Sequence, residues 1–202
     1  MKKKLAVVFV LLTVCALSFS LSPANASIIT QLNLCNEDLG IYGDFATVTV
    51  EQKDAMTIQF TVAANQDLLE NGSIQKFGFN SALDTDDIEI SGFSDDWSVS
   101  YTKNASEFGI FEVLEKVNGS VKQGEISFFV TSASGIELNE GMFYEANAEG
   151  HHYYAHIFDF TTLNENTSAQ FSDANPVPEP MTLLLLGSGL IGLAGFRKRT
   201  HK

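Results

Sequence analysis

The chain has 202 residues, with 12 Lys plus Arg against 25 Asp plus Glu and a formal net charge of −13. Seven of the basic residues lie in the termini, so Ser27 to Pro176 holds five lysines against 24 acids, a net of −19. A charge of that sign repels nucleic acid and anionic lipid heads, so no nucleic-acid partner is expected, while it favours solubility and divalent cations.

In chain order, Lys2, Lys3 and Lys4 precede an apolar run from Leu5 to Phe19 and the small-residue site Ala24-Asn25-Ala26. This is the layout of a signal peptide over residues 1–26, with Ala24 and Ala26 directing cleavage and the mature chain starting near Ser27. Only Cys35 then remains, so no disulfide can form within the mature chain. Its fold must rest on a hydrophobic core.

Period-two alternation with β-branched and aromatic residues predicts about eight strands: Phe45 to Glu51, Met56 to Ala63, Ile74 to Asn80, Asp87 to Ser91, Trp97 to Thr102, Gly109 to Leu114, Glu125 to Thr131 and Tyr153 to Phe160. Turn formers separate them, as in Asn71-Gly72-Ser73 and Asn118-Gly119-Ser120. Two short stretches, Asn65 to Glu70 and Leu138 to Glu145, have helical character but are too brief for an α/β sheet. The expected class is all-β, an antiparallel β-sandwich over residues 27–163. Residues 164–176 turn polar, with Phe171 their one large apolar side chain, and read as a solvated spacer.

Three candidate sites lie within the domain. His151, His152 and His156 suggest a metal site, but the aromatic flanks favour a strand. There, positions i and i+4 stand roughly 13 Å apart, too far to share one ion, so a half-buried strand is the expected reading. Asp84, Asp86 and Asp87, followed by Glu89, Asp95 and Asp96, form an acidic loop whose oxygens could serve calcium. The EF-hand pattern is missing, and a solvated loop is the preferred reading. No other cofactor is indicated. Trp97, Val99 and Tyr101 share a strand face that is expected to fill the core rather than stack on sugars.

No G-x-S-x-G elbow, H-E-x-x-H pair, P-loop or C-x-x-C occurs in the chain. The expectation is a protein without enzymatic activity.

The C-terminus, "VPEPMTLLLLGSGLIGLAGFRKRTHK", places Gly187 to Gly192 in a G-x-G-x-x-G pattern. The chain ends ten residues later with no acid to follow, so a dinucleotide site is excluded. Met181 to Phe196 is sixteen residues without a charge, roughly 24 Å as a helix, just enough to span a bilayer with Arg197, Lys198 and Arg199 as a stop on the cytoplasmic side.

A Pro-Glu-Pro motif, a short Gly-containing apolar segment and a basic end, in this order over residues 177–202, resemble the PEP-CTERM protein-sorting tail of exported proteins of Gram-negative bacteria. That resemblance implies recognition of Pro178, Glu179 and Pro180 by an exosortase, a protease-like enzyme of the inner membrane. It further implies transient anchoring through residues 181–196, a final place at the cell surface or outside the cell, and association with exopolysaccharide and biofilm. Two alternatives stay open: a secreted polysaccharide hydrolase using carboxylates such as Asp95 or Glu107, and a permanently anchored envelope protein.

Overall fold

Alternation decides which faces the strands bury. In Ala46–Asp54 and Thr57–Ala64 the residues Ala46, Val48, Val50, Ile58, Phe60, Val62 and Ala64 are buried, while Thr47, Thr49, Gln59 and Thr61 between them are half-exposed. Such a pattern closes one face of a sheet and leaves the other wet. The computed structural model describes residues 27–93, 97–117, 123–161 and 168–173.

Eleven strands are described: β1 Ser27–Leu32, β2 Leu34–Cys35, β3 Ala46–Asp54, β4 Thr57–Ala64, β5 Ser73–Phe79, β6 Ile88–Ser91, β7 Trp97–Asn104, β8 Ile110–Val117, β9 Glu125–Ser132, β10 Tyr153–Phe158 and β11 Ser168–Ser172. They form a five-stranded sheet in the order β1-β3-β4-β9-β6 and a six-stranded sheet in the order β2-β11-β10-β5-β8-β7. Every pairing among them is antiparallel. The eight expected strands are present as β3 to β10.

The two sheets share one core, and phenylalanine fills it. Phe60 on β4 stacks on Phe128 of β9 at 4.9 Å between ring centroids and meets Phe79 of β5, across the sandwich, at 4.7 Å. Phe143, at the end of a 3-10 turn over Glu140–Phe143, sets its edge against Phe60 at 5.7 Å. Offset and edge-on aromatic pairs of this kind each add about 0.5–1.5 kcal/mol beyond the area they bury. With no disulfide available, these rings carry the cohesion that the cysteine count required.

The structure departs from expectation in four places. The stretch read as a solvated spacer contains β11, whose Phe171 and Ala169 are buried in the core. One large apolar residue among polar neighbours makes no alternating pattern, but a five-residue strand with hydrogen-bonded neighbours on both sides needs only its inward positions apolar. β1 and β2 were also not foreseen, because their alternation is short and weak. Leu138 to Glu145 forms only the four-residue 3-10 turn, and Asn65 to Glu70 a single turn in which Leu68 and Leu69 donate to the Asn65 carbonyl. Of the face Trp97, Val99 and Tyr101, the first two pack against the core, while Tyr101 stays 44 % exposed on the edge strand β7.

Candidate functional site

At one end of the six-stranded sheet the chain leaves β5 at Phe79, and Asn80 turns it with a fully used amide. Asn80 Oδ1 accepts from the Glu112 N–H at 3.1 Å, and its Nδ2 donates to the carbonyls of Glu145 and His151 at 3.1 and 3.4 Å. Glu112 on β8 answers by accepting from the Ser81 N–H through Oε2 at 3.0 Å. Asn147 fastens the opposite rim: its Nδ2 donates to the Phe108 carbonyl at 2.7 Å, and its Oδ1 accepts from the N–H groups of Glu149 and His151. Asn and Asp are favoured in such loops because the side chain can mimic a backbone partner.

Between these rims lies a cleft of about 540 Å³ lined by Asn80, Ser81, Ile110, Glu112 and the segment Glu145 to Glu149. Gly109, at φ +87°, lets Glu149 fold against the backbone, since a β-carbon there would collide with its carboxylate. The lining holds three glutamates and no lysine or arginine. Chemically the cleft offers acceptors to hydroxyl, amide or ammonium groups and repels anions.

Behind the cleft the three histidines part company. His151 sets its ring edge-on to Phe108 at 5.2 Å, and its Nδ1 lies 3.1 Å from the carbonyl oxygen of Asp173. His152 Nδ1 pairs with Asp173 Oδ2 at 2.7 Å under the ring of Tyr144, stacked at 4.0 Å. Asp173 is 0 % exposed, and its Oδ1 also accepts the N–H groups of His152 and Tyr153, both at 2.9 Å. A buried carboxylate needs such partners to be tolerated. Burial, with the charge of Asp173 nearby, pushes the Tyr144 hydroxyl up to about 12. Tyr153 is raised as well by burial, and its hydroxyl donates to the Phe143 carbonyl at 2.8 Å.

His156 stands apart on the outer face of β10, with Nε2 2.6 Å from Ser168 Oγ. Burial, helped by Lys76 on the neighbouring strand, lowers it to about 4.

Asp84 and Asp86 are exposed beside Asp87 on the 3-10 turn Thr85–Asp87, where the Asp87 N–H donates to the Asp84 carbonyl. Among the described residues no three Asp, Glu, His or Cys side chains converge as a group able to hold a metal ion. Asp95 and Asp96 lie outside the described residues, and Glu107, on the 3-10 turn Ser106–Phe108, is not part of the cleft lining. Ala24, Ala26, Pro178, Glu179, Pro180, the segment 181–196 and Arg197, Lys198 and Arg199 also lie outside the described residues. Among those described, no helix is long and apolar enough to cross a membrane.

The described sandwich ends at Asp173, and the matched segment begins three residues on. A family model for the PEP-CTERM protein-sorting motif matches residues 176–199. The chain carries a PEP-CTERM sorting tail. That tail implies export and processing by an exosortase, a membrane protein. No curated protein and no solved structure matches the chain.

Because β11 lies within the expected spacer, the Pro178-Glu179-Pro180 motif of the PEP-CTERM tail follows Asp173 by only five residues, at most roughly 17 Å of extended chain. The clasp of Asp173 and His152 therefore fixes the last described residue at the same end as the acidic cleft. No local pattern marks this arrangement, since Asp173 meets His152 from 21 residues away and Glu112 meets Ser81 from 31.

Proposed function

We infer that the chain is an exported protein held briefly in the inner membrane by its tail until an exosortase processes it. Its β-sandwich then serves at the cell surface or in the extracellular matrix as a non-catalytic module associated with exopolysaccharide. The match of residues 176–199 to the PEP-CTERM protein-sorting motif carries this reading. It is supported by the signal-like pattern of residues 1–26 and by an acidic charge suited to a soluble extracellular protein. Mass spectrometry of the protein from its host is expected to find a C-terminus near Pro178-Glu179-Pro180. An intact chain ending at Lys202 would overturn the sorting, and absence of the protein from the extracted polysaccharide matrix would overturn the matrix role.

The cleft favours a second reading, hydrolysis of a polysaccharide, because glycoside hydrolysis uses paired carboxylates and three glutamates share this lining. Release of reducing ends by the wild type, lost in Glu112→Gln or Glu145→Gln, would establish that reading. No release from the extracted matrix would remove it.

A further inference from the structure

On the outer face of the five-stranded sheet the acids stand at the margins, Glu89 on β6 and Glu125 at the start of β9. Register places Ile29, Thr49, Thr61 and Ser127 in one row across β1, β3, β4 and β9, with no charge in it. Three strand spacings make this row about 14 Å wide. The row beside it sets Gln59 next to Phe129, and Glu51 in that row is already paired with Lys53 at 2.9 Å.

The groups of this face are fixed by one another. Gln59 Nε2 donates to Ser127 Oγ at 2.7 Å, and Ser127 Oγ donates to the Phe60 carbonyl at 3.0 Å. Farther along, Thr47 Oγ1 donates to Gln31 Oε1 at 2.7 Å. Phe129 is 37 % exposed, its ring lying over Gly92, where a β-carbon would come within 2.9 Å of it.

We propose that this face binds an uncharged polysaccharide chain laid flat across β1, β3, β4 and β9. Sugar hydroxyls exchange hydrogen bonds with hydroxyl and amide groups already held in place, so little side-chain entropy is lost on binding. The exposed Phe129 ring and Ile29, 62 % exposed, supply apolar contact to the faces of pyranose rings. Charge decides between polymers: a domain of net −19 repels polyuronates and sulfated chains, and a neutral row costs a neutral polymer no ion desolvation. The inference rests on the matrix reading above and adds the surface and the charge class of the sugar.

The test is co-sedimentation of the protein purified from its host with an insoluble neutral glucan, with a polyuronate gel, and with the host's own matrix. Retention on the neutral glucan but not on the polyuronate is expected, and Thr61→Lys is expected to weaken it about tenfold by placing a charge that must be desolvated. Lys103→Gln, exposed on the edge strand β7 of the other sheet, should bind as the wild type does. Should Thr61→Lys lower the melting temperature, Ile29→Glu, on a more exposed side chain, decides instead. Equal retention of these variants, or equal binding to polyuronate, overturns the proposal. So does a wild type that is dimeric in solution through this face and does not bind glucan. If wild type and Thr61→Lys both co-sediment with the host matrix, the matrix reading stands and this inference falls; if the wild type does not, both fall.

Discussion

His156 shows how a single titration can be read from its surroundings. Its lowered value means that the folded chain holds the neutral imidazole, so the unfolded chain binds more protons once the pH is below its usual 6.5. The contribution of this residue is constant above that value, and stability is lost as the pH falls from 6.5 toward about 4. Melting temperature is therefore expected to decline between pH 6.5 and 5, before most carboxylates titrate, and His156→Gln should flatten that limb. Asp173 makes the opposite kind of demand, because a buried carboxylate with three N–H partners leaves those donors stranded when it is removed. Asp173→Ala is expected to cost about 3–5 kcal/mol in urea denaturation. Phe60→Ala, which removes the ring on which Phe79, Phe128 and Phe143 converge, should cost a similar 3–5 kcal/mol.

Among the elements, β11 links fold and tail. It hydrogen-bonds to β10 on one side and β2 on the other, and Phe171 seals the core between them against Phe45 at 4.8 Å. A proline at Gln170 removes the N–H that donates to Asn36 Oδ1 at 2.8 Å and clashes with its neighbours, so Gln170→Pro is expected to destabilise by about 3 kcal/mol or more. Protease susceptibility near the tail should rise in that variant, which limited proteolysis followed by mass spectrometry would read. Strands β3, β4 and β9 were legible from alternation because each has an uninterrupted wet face and dry face. β11 was not, since β2 and Asn36 on one side of it come from the far end of the domain, and its polar residues are satisfied only once its partners arrive.

For the molecule as a whole, the net charge of −19 between Ser27 and Pro176 acts as a diffuse self-repulsion. Added salt screens it, so the melting temperature is expected to rise with sodium chloride up to a few tenths molar. Calcium and magnesium at equal ionic strength should then act alike, since among the described residues no three acidic side chains form a group able to hold a metal ion. A rise specific to calcium, reversed by chelator, would instead support a site at Asp84, Asp86 and Asp87.

Sequence alone determined the class, the position of most strands, the acidity and the sorting tail, because each depends on periodicity, composition or a contiguous motif. Pro178, Glu179 and Pro180 could be read directly because they form a contiguous motif within the matched segment 176–199. Only the tertiary structure decided that Asp173 is a clasp for His152 and Tyr153, that Glu112, Glu145 and Glu149 share a cleft, and that Ile29, Thr49, Thr61 and Ser127 form one uncharged row. Each of those groupings brings together residues from different strands or loops. Strand register and loop closure place them, and no local pattern in the chain records either.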